Sequence, residues 1–211
     1  MKSYANRSAV FAVVAVLLSP QQALADCAAG YTAQMTTPLS EKPDQALFSR
    51  AVLLAGNAAR CGEGLADLRH DTRLRKAAFV HSRNMARTRV FDHRSRVNGA
   101  GTLQDSAKLA GVRGRRIAEN LALIPRFRFG DRQPFVVEDP ALCRFREPKT
   151  GKRIAPHSYA SLAEKVVEAW LASPGHRRNL LSKRLGRVGA ALVLAENDTC
   201  GQFYVTQVFA D

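Results

Sequence analysis

The hydrophobic pattern of this chain changes period once, and this change restricts the fold more than any other feature. In four segments between residues 44 and 173, apolar residues recur every three or four positions, as on one face of a helix. Residues 188–194 and 203–209 are instead rich in valine and aromatic residues, with a turn-like segment between them. Helices followed by a C-terminal hairpin predict an α+β domain.

Capping residues mark where the helical segments begin. Asp44 and Asp71 precede apolar patterns that predict helices ending near Gly62 and near Thr88. Capping-box patterns at 102–105 and 161–164 predict two further helices.

The first 25 residues have the features of an export signal. Basic residues precede an apolar run at 9–18, and residues 23–25 form a small-x-small pattern. We expect a signal peptide at 1–25, cleavage before Asp26, and an exported protein that is periplasmic or extracellular. An anchor helix and a lipoprotein site at Cys27 are the alternatives. The apolar run is shorter than the roughly 20 residues that span a bilayer, and no other run predicts a transmembrane segment.

Four cysteines follow this leader: Cys27, Cys61, Cys143 and Cys200. An even number in an exported chain predicts two disulfides, and the lack of a C-x-x-C motif argues against a zinc finger or redox site. Three pairings remain open on the sequence alone. We favour the pairs nearest in sequence, Cys27–Cys61 and Cys143–Cys200.

The formal net charge is +14. Such a charge favours an anionic partner such as an envelope polymer or acidic lipid headgroups. Nucleic acid is not expected, because an exported protein rarely meets it. The alternative is an arginine-rich surface that only confers solubility. The partner itself, an envelope, lipid or protein ligand, is not identified by the sequence.

Residues 124–157 fit no period and contain five prolines, four phenylalanines and eight basic residues. The prolines prevent a continuous helix or central strand, and a connection of this length is usually functional or disordered. We expect a mobile surface excursion whose arginines and phenylalanines contact an anionic surface. The alternative is that the phenylalanines pack into the domain and the basic residues are solvated.

Six motifs follow one another in a specific order. They are residues 77–86 (AAFVHSRNMA), 91–93 (FDH), 118–121 (AENL), 170–181 (WLASPGHRRNLL), 188–191 (VGAA) and 204–209 (YVTQVF). This ordered set resembles the bacterial branch of the CAP superfamily, the cysteine-rich secretory and pathogenesis-related 1 group, over roughly residues 45–211. The resemblance implies a three-layer α-β-α sandwich with a small antiparallel sheet. It divides the exported chain into an arm at 26–43 and a domain at 44–211, with 124–157 as an insertion.

The resemblance also implies a cavity lined by two histidines and two acidic residues. His93, Glu119 and His176 match three of these positions, and Ser173 stands where the family has the fourth acid. Glu164 or Glu168, just before the tryptophan, is a substitute, and we take Glu168.

Two neutral imidazoles beside a carboxylate suit a divalent cation such as zinc. His93 and His176 are the candidate ligands, and Glu119 would ligate as well or fix the tautomer of a ligating imidazole. The alternative for Glu119 is a local backbone cap. His81 shares an apolar helix face with Leu74 and is expected in the core.

Three functions follow from these residues. The first is an exported binding module that uses the histidine–glutamate cavity, with or without a divalent cation. The second is a metal-dependent envelope hydrolase or protease, although the fourth acid is missing. The third is a structural envelope protein that contacts acidic polymers through its basic surface. No serine lies in a nucleophile elbow, so a serine triad is not expected.

The two-disulfide prediction is directly testable. Protein purified from an oxidising compartment should show no free thiol when titrated under denaturing conditions, since each bridge stabilises the fold by about 2–4 kcal/mol. Detection of two or more free thiols would contradict it.

Overall fold

The computed structural model describes residues 27–94, 101–130, 134–195 and 200–211. The predicted signal peptide at 1–25 lies outside these ranges. Within them, no helix is both long and apolar enough to cross a membrane.

The described part of the chain contains helices and short strands that alternate along the sequence. The helices are α1 (Gln45–Gly62), α2 (Thr72–Thr88), α3 (Leu103–Leu109), α4 (Tyr159–Ala172) and α5 (Pro174–Leu180). The strands are β1 (Arg69–His70), β2 (Ile117–Pro125), β3 (Val136–Asp139), β4 (Arg144–Arg146), β5 (Arg187–Ala195) and β6 (Gln202–Ala210).

Local capping explains most of the helix starts. The side chains of Asp44 and Asp71 accept backbone N–H groups at the first turns of α1 and α2, as predicted. The predicted start of α4 at Ser161 is wrong. Ser158 is the N-cap, and Ser161 completes its capping box from inside the helix.

A four-stranded sheet in the order β1-β5-β6-β2 lies at the centre. The predicted hairpin forms β5 and β6, and β2 pairs antiparallel with β6 along nine residues. The strand β2 was not predicted. Its sequence does not alternate cleanly between polar and apolar residues, because both of its faces are covered by helices.

Helices cover both faces of this sheet. α1 and α4 pack on one face around Phe48, Leu162 and the fully buried Trp170. α2 packs on the other face, where Leu74 and Ala78 meet residues of β5 and β6. The expectation of a three-layer α-β-α sandwich is therefore confirmed.

The N-terminal arm is integrated into the main core. Met35 and Leu39 are buried in the same cluster as α1 and α4, and the backbone N–H of Leu39 donates to the His157 carbonyl. The structure contains the disulfides Cys27–Cys61 and Cys143–Cys200, so the favoured pairing is confirmed.

The stretch 124–157 has a small core of its own. Its first two residues complete β2, and β3 and β4 form an antiparallel pair within it. Its four phenylalanines pack on one another and beside the Cys143–Cys200 bridge, with ring centres 4.5–6.2 Å apart. The expectation that these rings lie on an external surface is wrong, because burying them against one another removes their apolar area from water.

The contact between α2 and β5 depends on Gly189. A Cβ atom built on Gly189 would lie 2.1 Å from the backbone nitrogen of Arg75, whereas a Cβ on Gly186 meets nothing within 4 Å. The helix backbone therefore lies directly against the strand at Gly189, and there is no room for a side chain.

We expect Gly189→Ala to lower the free energy of unfolding by about 3 kcal/mol or more, because α2 must move away from the sheet. Denaturant unfolding with intact disulfides measures this. Gly186→Ala, three residues earlier, is the matched control, and its free energy of unfolding should stay close to that of the parent protein. Equal midpoints for the two variants would contradict the close approach.

Candidate functional site

A buried carboxylate on the edge strand β2 holds an exposed histidine. The side chain of Glu119 is 4% exposed, and its Oε1 lies 2.8 Å from Nδ1 of His93, whose side chain is 57% exposed. His93 follows the end of α2 and reaches β2, which is the edge strand of the sheet in the described part of the chain. Since a carboxylate only accepts, Nδ1–H donates, and Nε2 of His93 remains for another partner.

A second histidine approaches the first from the opposite helical layer. His176 is the third residue of α5, and its ring centre lies 5.9 Å from that of His93, with the planes tilted by 55°. Asn120 holds α5 in place, since its Nδ2 donates to the His176 carbonyl at 3.2 Å. Asn179 donates to the Glu119 carbonyl at 3.1 Å and to Oδ1 of Asn120 at 3.0 Å.

His81 also belongs to this group, which the sequence analysis missed. It is buried on α2 as expected, yet its Nε2 lies 3.0 Å from the Asp92 carbonyl and 3.8 Å from Oε1 of Glu119. Helical spacing places His81 toward the sheet. Glu119 lies opposite His81, and this neighbour could have been found only by predicting the strand β2.

The structure does not bring Glu168 to these residues. Its side chain lies on α4, is 70% exposed, and forms an ion pair with Lys165 at 3.4 Å. The choice of Glu168 as the fourth acid is therefore corrected: its position on the helix turns it to solvent. We refer to His93, Glu119 and His176 as the histidine–glutamate cluster, with His81 behind it.

The pKa values of His93 and His176 are shifted in opposite directions. The hydrogen bond to Glu119 raises the pKa of His93 above its ordinary 6.5. Partial burial, together with the nearby His93, lowers the pKa of His176. His176 is therefore the more readily neutral of the two, and neutral imidazole is the form that binds a metal.

The distance between the rings of His93 and His176 can be compared with that of two imidazoles bound to one divalent cation. Two imidazoles that ligate one tetrahedral zinc ion have ring centres about 5 Å apart, given zinc–nitrogen bonds of about 2 Å. The observed 5.9 Å is close to that. Across the described ranges, no set of three or more His, Cys, Asp or Glu side chains is placed to hold a metal ion. The residues thus fit a cation with two protein ligands, and water or ligand atoms would complete its coordination.

Comparisons with known proteins bear on the family of this chain. The model of the cysteine-rich secretory protein family, CAP, matches residues 136–209. YkwD of Bacillus subtilis, described as an uncharacterized protein, is 26% identical over 163 residues, which are 77% of this chain and 49% of YkwD. The chain thus spans about half the length of this curated relative.

Two solved structures are similar to this chain, and the first of them shares its fold. An extracellular SCP-domain protein from Bacillus anthracis has a TM-score of 0.52 at 21% identity, and the match covers 83% of this chain and 45% of that one. An outer surface protein from Borrelia burgdorferi has a TM-score of 0.49 at 16% identity, covering 83% and 98% of the two chains.

The class of protein follows from these findings. The family match at 136–209, the ordered motifs and the α-β-α fold agree with the resemblance to the CAP family that the sequence predicted.

The opposite pKa shifts give a prediction for Glu119. In histidine titrations followed by NMR, we expect His93 to titrate above 6.5 and His176 below it. Glu119→Gln should lower the pKa of His93, because it removes the negative charge that favours the imidazolium. Glu168→Gln removes an exposed carboxylate and should leave the titration of His93 unchanged. The same shift in both variants would show that Glu119 does not control His93.

Proposed function

We propose that this protein is an exported CAP-domain binding module that engages its ligand at the histidine–glutamate cluster. The observation that carries this proposal is the bond from the buried Glu119 to the exposed His93, next to His176. A buried carboxylate is costly unless it is paired. Here the carboxylate of Glu119 orients the imidazole of His93, which faces solvent. A purely structural role would not require a solvent-facing imidazole to be oriented.

Export is supported by three features. These are the leader-like sequence at 1–25, the two disulfides, and the family's description as secretory proteins. Disulfides persist in oxidising compartments and are rare in the cytosol.

A divalent cation such as zinc is the candidate occupant. His93 would ligate through Nε2, His176 would supply the second imidazole, and Glu119 would orient His93 from behind. Carboxylate partners of this kind fix the tautomer and increase the basicity of a ligating histidine. When bound, the cation would supply a positive charge and open coordination positions for an anionic or carbonyl ligand. With only two protein ligands, binding would be weak and exchangeable.

The geometry favours binding over hydrolysis. A hydrolase needs a base that can accept a proton from an attacking water. Glu119 is the nearby carboxylate, but both His93 and His81 face it, and it is almost fully buried. Acting as a base would require Glu119 to give up the hydrogen bond that positions His93.

A second contact surface is supported by the basic residues of the β3–β4 region. Five of them are exposed: Arg144, Arg146, Lys149, Lys152 and Arg153. Glu138 pairs with Arg146, which reduces the local charge. We propose this surface as an auxiliary electrostatic contact for acidic envelope polymers, and it would weaken with salt.

Zinc titration of the purified protein tests the main proposal. We expect calorimetry to show weak zinc binding that is lost in His93→Ala and in His176→Ala, because each removes one of the two ligands. Glu119→Gln should weaken binding by about 10–100-fold, as is typical when the carboxylate that orients a ligating histidine is removed.

His70→Ala removes an exposed histidine on β1 and is the matched control. It should bind zinc like the parent. If the parent takes up no zinc, or if the double variant of His93 and His176 binds as well as the parent, the cation part of the proposal fails.

A further inference from the structure

A basic groove runs between α2 and the C-terminal end of β5, away from the histidine–glutamate cluster. Two adjoining depressions form it, and they share Arg83, Val193 and Leu194. Lys42 and Phe79 line one end, and Arg87 lines the other. We call this the arginine groove; its floor is apolar and its rim is cationic.

Within the described ranges, the arginines Arg83 and Arg87 of the groove have no acidic partner. α2 contains no acidic residue along its length. Arg83 and Arg87 are exposed one turn apart on it, and neither makes an ion pair within the described ranges. Arg83 lies over the ring of Phe79, 6.0 Å from its centre. The acidic residue on the rim, Glu41, lies 3.7 Å from Arg126. The groove therefore complements a negatively charged partner.

The neighbouring edge of β5 is open at the groove. β1 pairs with β5 only at Arg187 and Val188. Side chains then replace a strand: Ser49 accepts the N–H of Ala190 at 3.1 Å. Gln45 accepts the N–H of Leu192 at 3.1 Å and donates to its carbonyl at 3.0 Å.

The next outward-facing residue on this edge is Leu194. Successive residues of an antiparallel strand turn their N–H and C=O groups alternately toward and away from the partner strand. β5 pairs with β6 through Leu194 without a register shift, so Leu194 faces the same way as Leu192. Its main-chain groups lie just beyond Gln45, where Leu194 lines both depressions of the groove.

We propose that the arginine groove binds an extended acidic peptide segment. The segment pairs its main chain with the N–H and C=O of Leu194 and places carboxylates against Arg83 and Arg87. Strand addition at an open sheet edge supplies the main-chain hydrogen bonds, and the side-chain pockets supply selectivity. A polyphosphate would satisfy the arginines but has no amide to pair with Leu194, so the open edge favours a peptide. This inference is independent of the histidine–glutamate cluster.

The test uses a labelled ten-residue peptide that alternates glutamate and threonine, with binding followed by fluorescence anisotropy at low salt. We expect the full chain to bind it and the Arg83→Gln, Arg87→Gln double variant to bind about tenfold more weakly, since two exposed ion pairs are lost. The matched control is Arg73→Gln with Lys76→Gln. It makes the same change of charge on the same helix outside the groove, and it should bind like the parent.

N-methylated peptides test the main-chain pairing separately from the charge. Two versions, methylated at odd or at even positions, keep every carboxylate but remove alternate N–H donors. We expect at least one of them to bind markedly more weakly than the parent peptide. No binding by the parent protein would overturn the proposal, as would equal losses in the groove and control variants. Unchanged binding of both methylated peptides would also contradict the proposal, and so would inorganic polyphosphate that binds as tightly as the peptide. Either result would show that the groove binds anions in general.

Discussion

Two consecutive residues of the edge strand β2, Glu119 and Asn120, join the two helical layers. Successive side chains of a strand point to opposite faces, so Glu119 meets His81 and His93 on the α2 side. Asn120 meets the backbone of α5 and Gln207 on the other side. The position of His93 relative to His176 therefore depends on this one dipeptide. A shift of β2 by one residue against β6 would exchange the two faces and take the cluster apart.

Side chains cover part of each edge of the sheet. On β2, Asn179 donates to the Glu119 carbonyl and the Trp170 ring donates to the Leu121 carbonyl. On β5, the side chains of Ser49 and Gln45 accept the backbone N–H groups of Ala190 and Leu192. Unpaired strand edges invite association with other chains, and native proteins usually cover them. At β2 the covering groups also position the cluster, whereas at β5 the cover ends at Leu192, two residues before Leu194.

The sequence predicted the parts of the fold that depend on local chemistry. The caps at Asp44 and Asp71 and the alternation of β5 and β6 are local signals, and they placed these elements within about one residue. β2 was missed because it is covered on both faces. The start of α4 was misplaced because Ser158 and Ser161 both have capping side chains, and only tertiary structure shows which one ends the extended segment.

The site was predictable only in part, for a related reason. His93, Glu119 and His176 were found through the order of the motifs, and no spacing argument from the residues alone would have joined them. His81 was assigned to the core because its helix face is apolar. Glu168 was chosen for its closeness to Trp170 in sequence, but neighbouring helix positions point in different directions. Trp170 is fully buried, whereas Glu168 faces solvent.

For the proposed binding function, the opposite pKa shifts of the two imidazoles would give the cluster two ways of holding a ligand. When His93 is protonated, Glu119 balances its charge from behind, and its Nε2–H becomes a donor for an anionic or carbonyl group. When His93 is neutral, the same Nε2 is a lone-pair donor for a cation, together with the readily neutral His176. A proton and a metal ion would compete for one nitrogen, so the proposed metal affinity would fall as pH decreases through the raised pKa of His93. Glu119 would strengthen both forms of the proposed site, because its charge favours the imidazolium and would also make the neutral ring a better ligand. In the proposed function the carboxylate is thus a positioning residue in either state, and its burial agrees with that role.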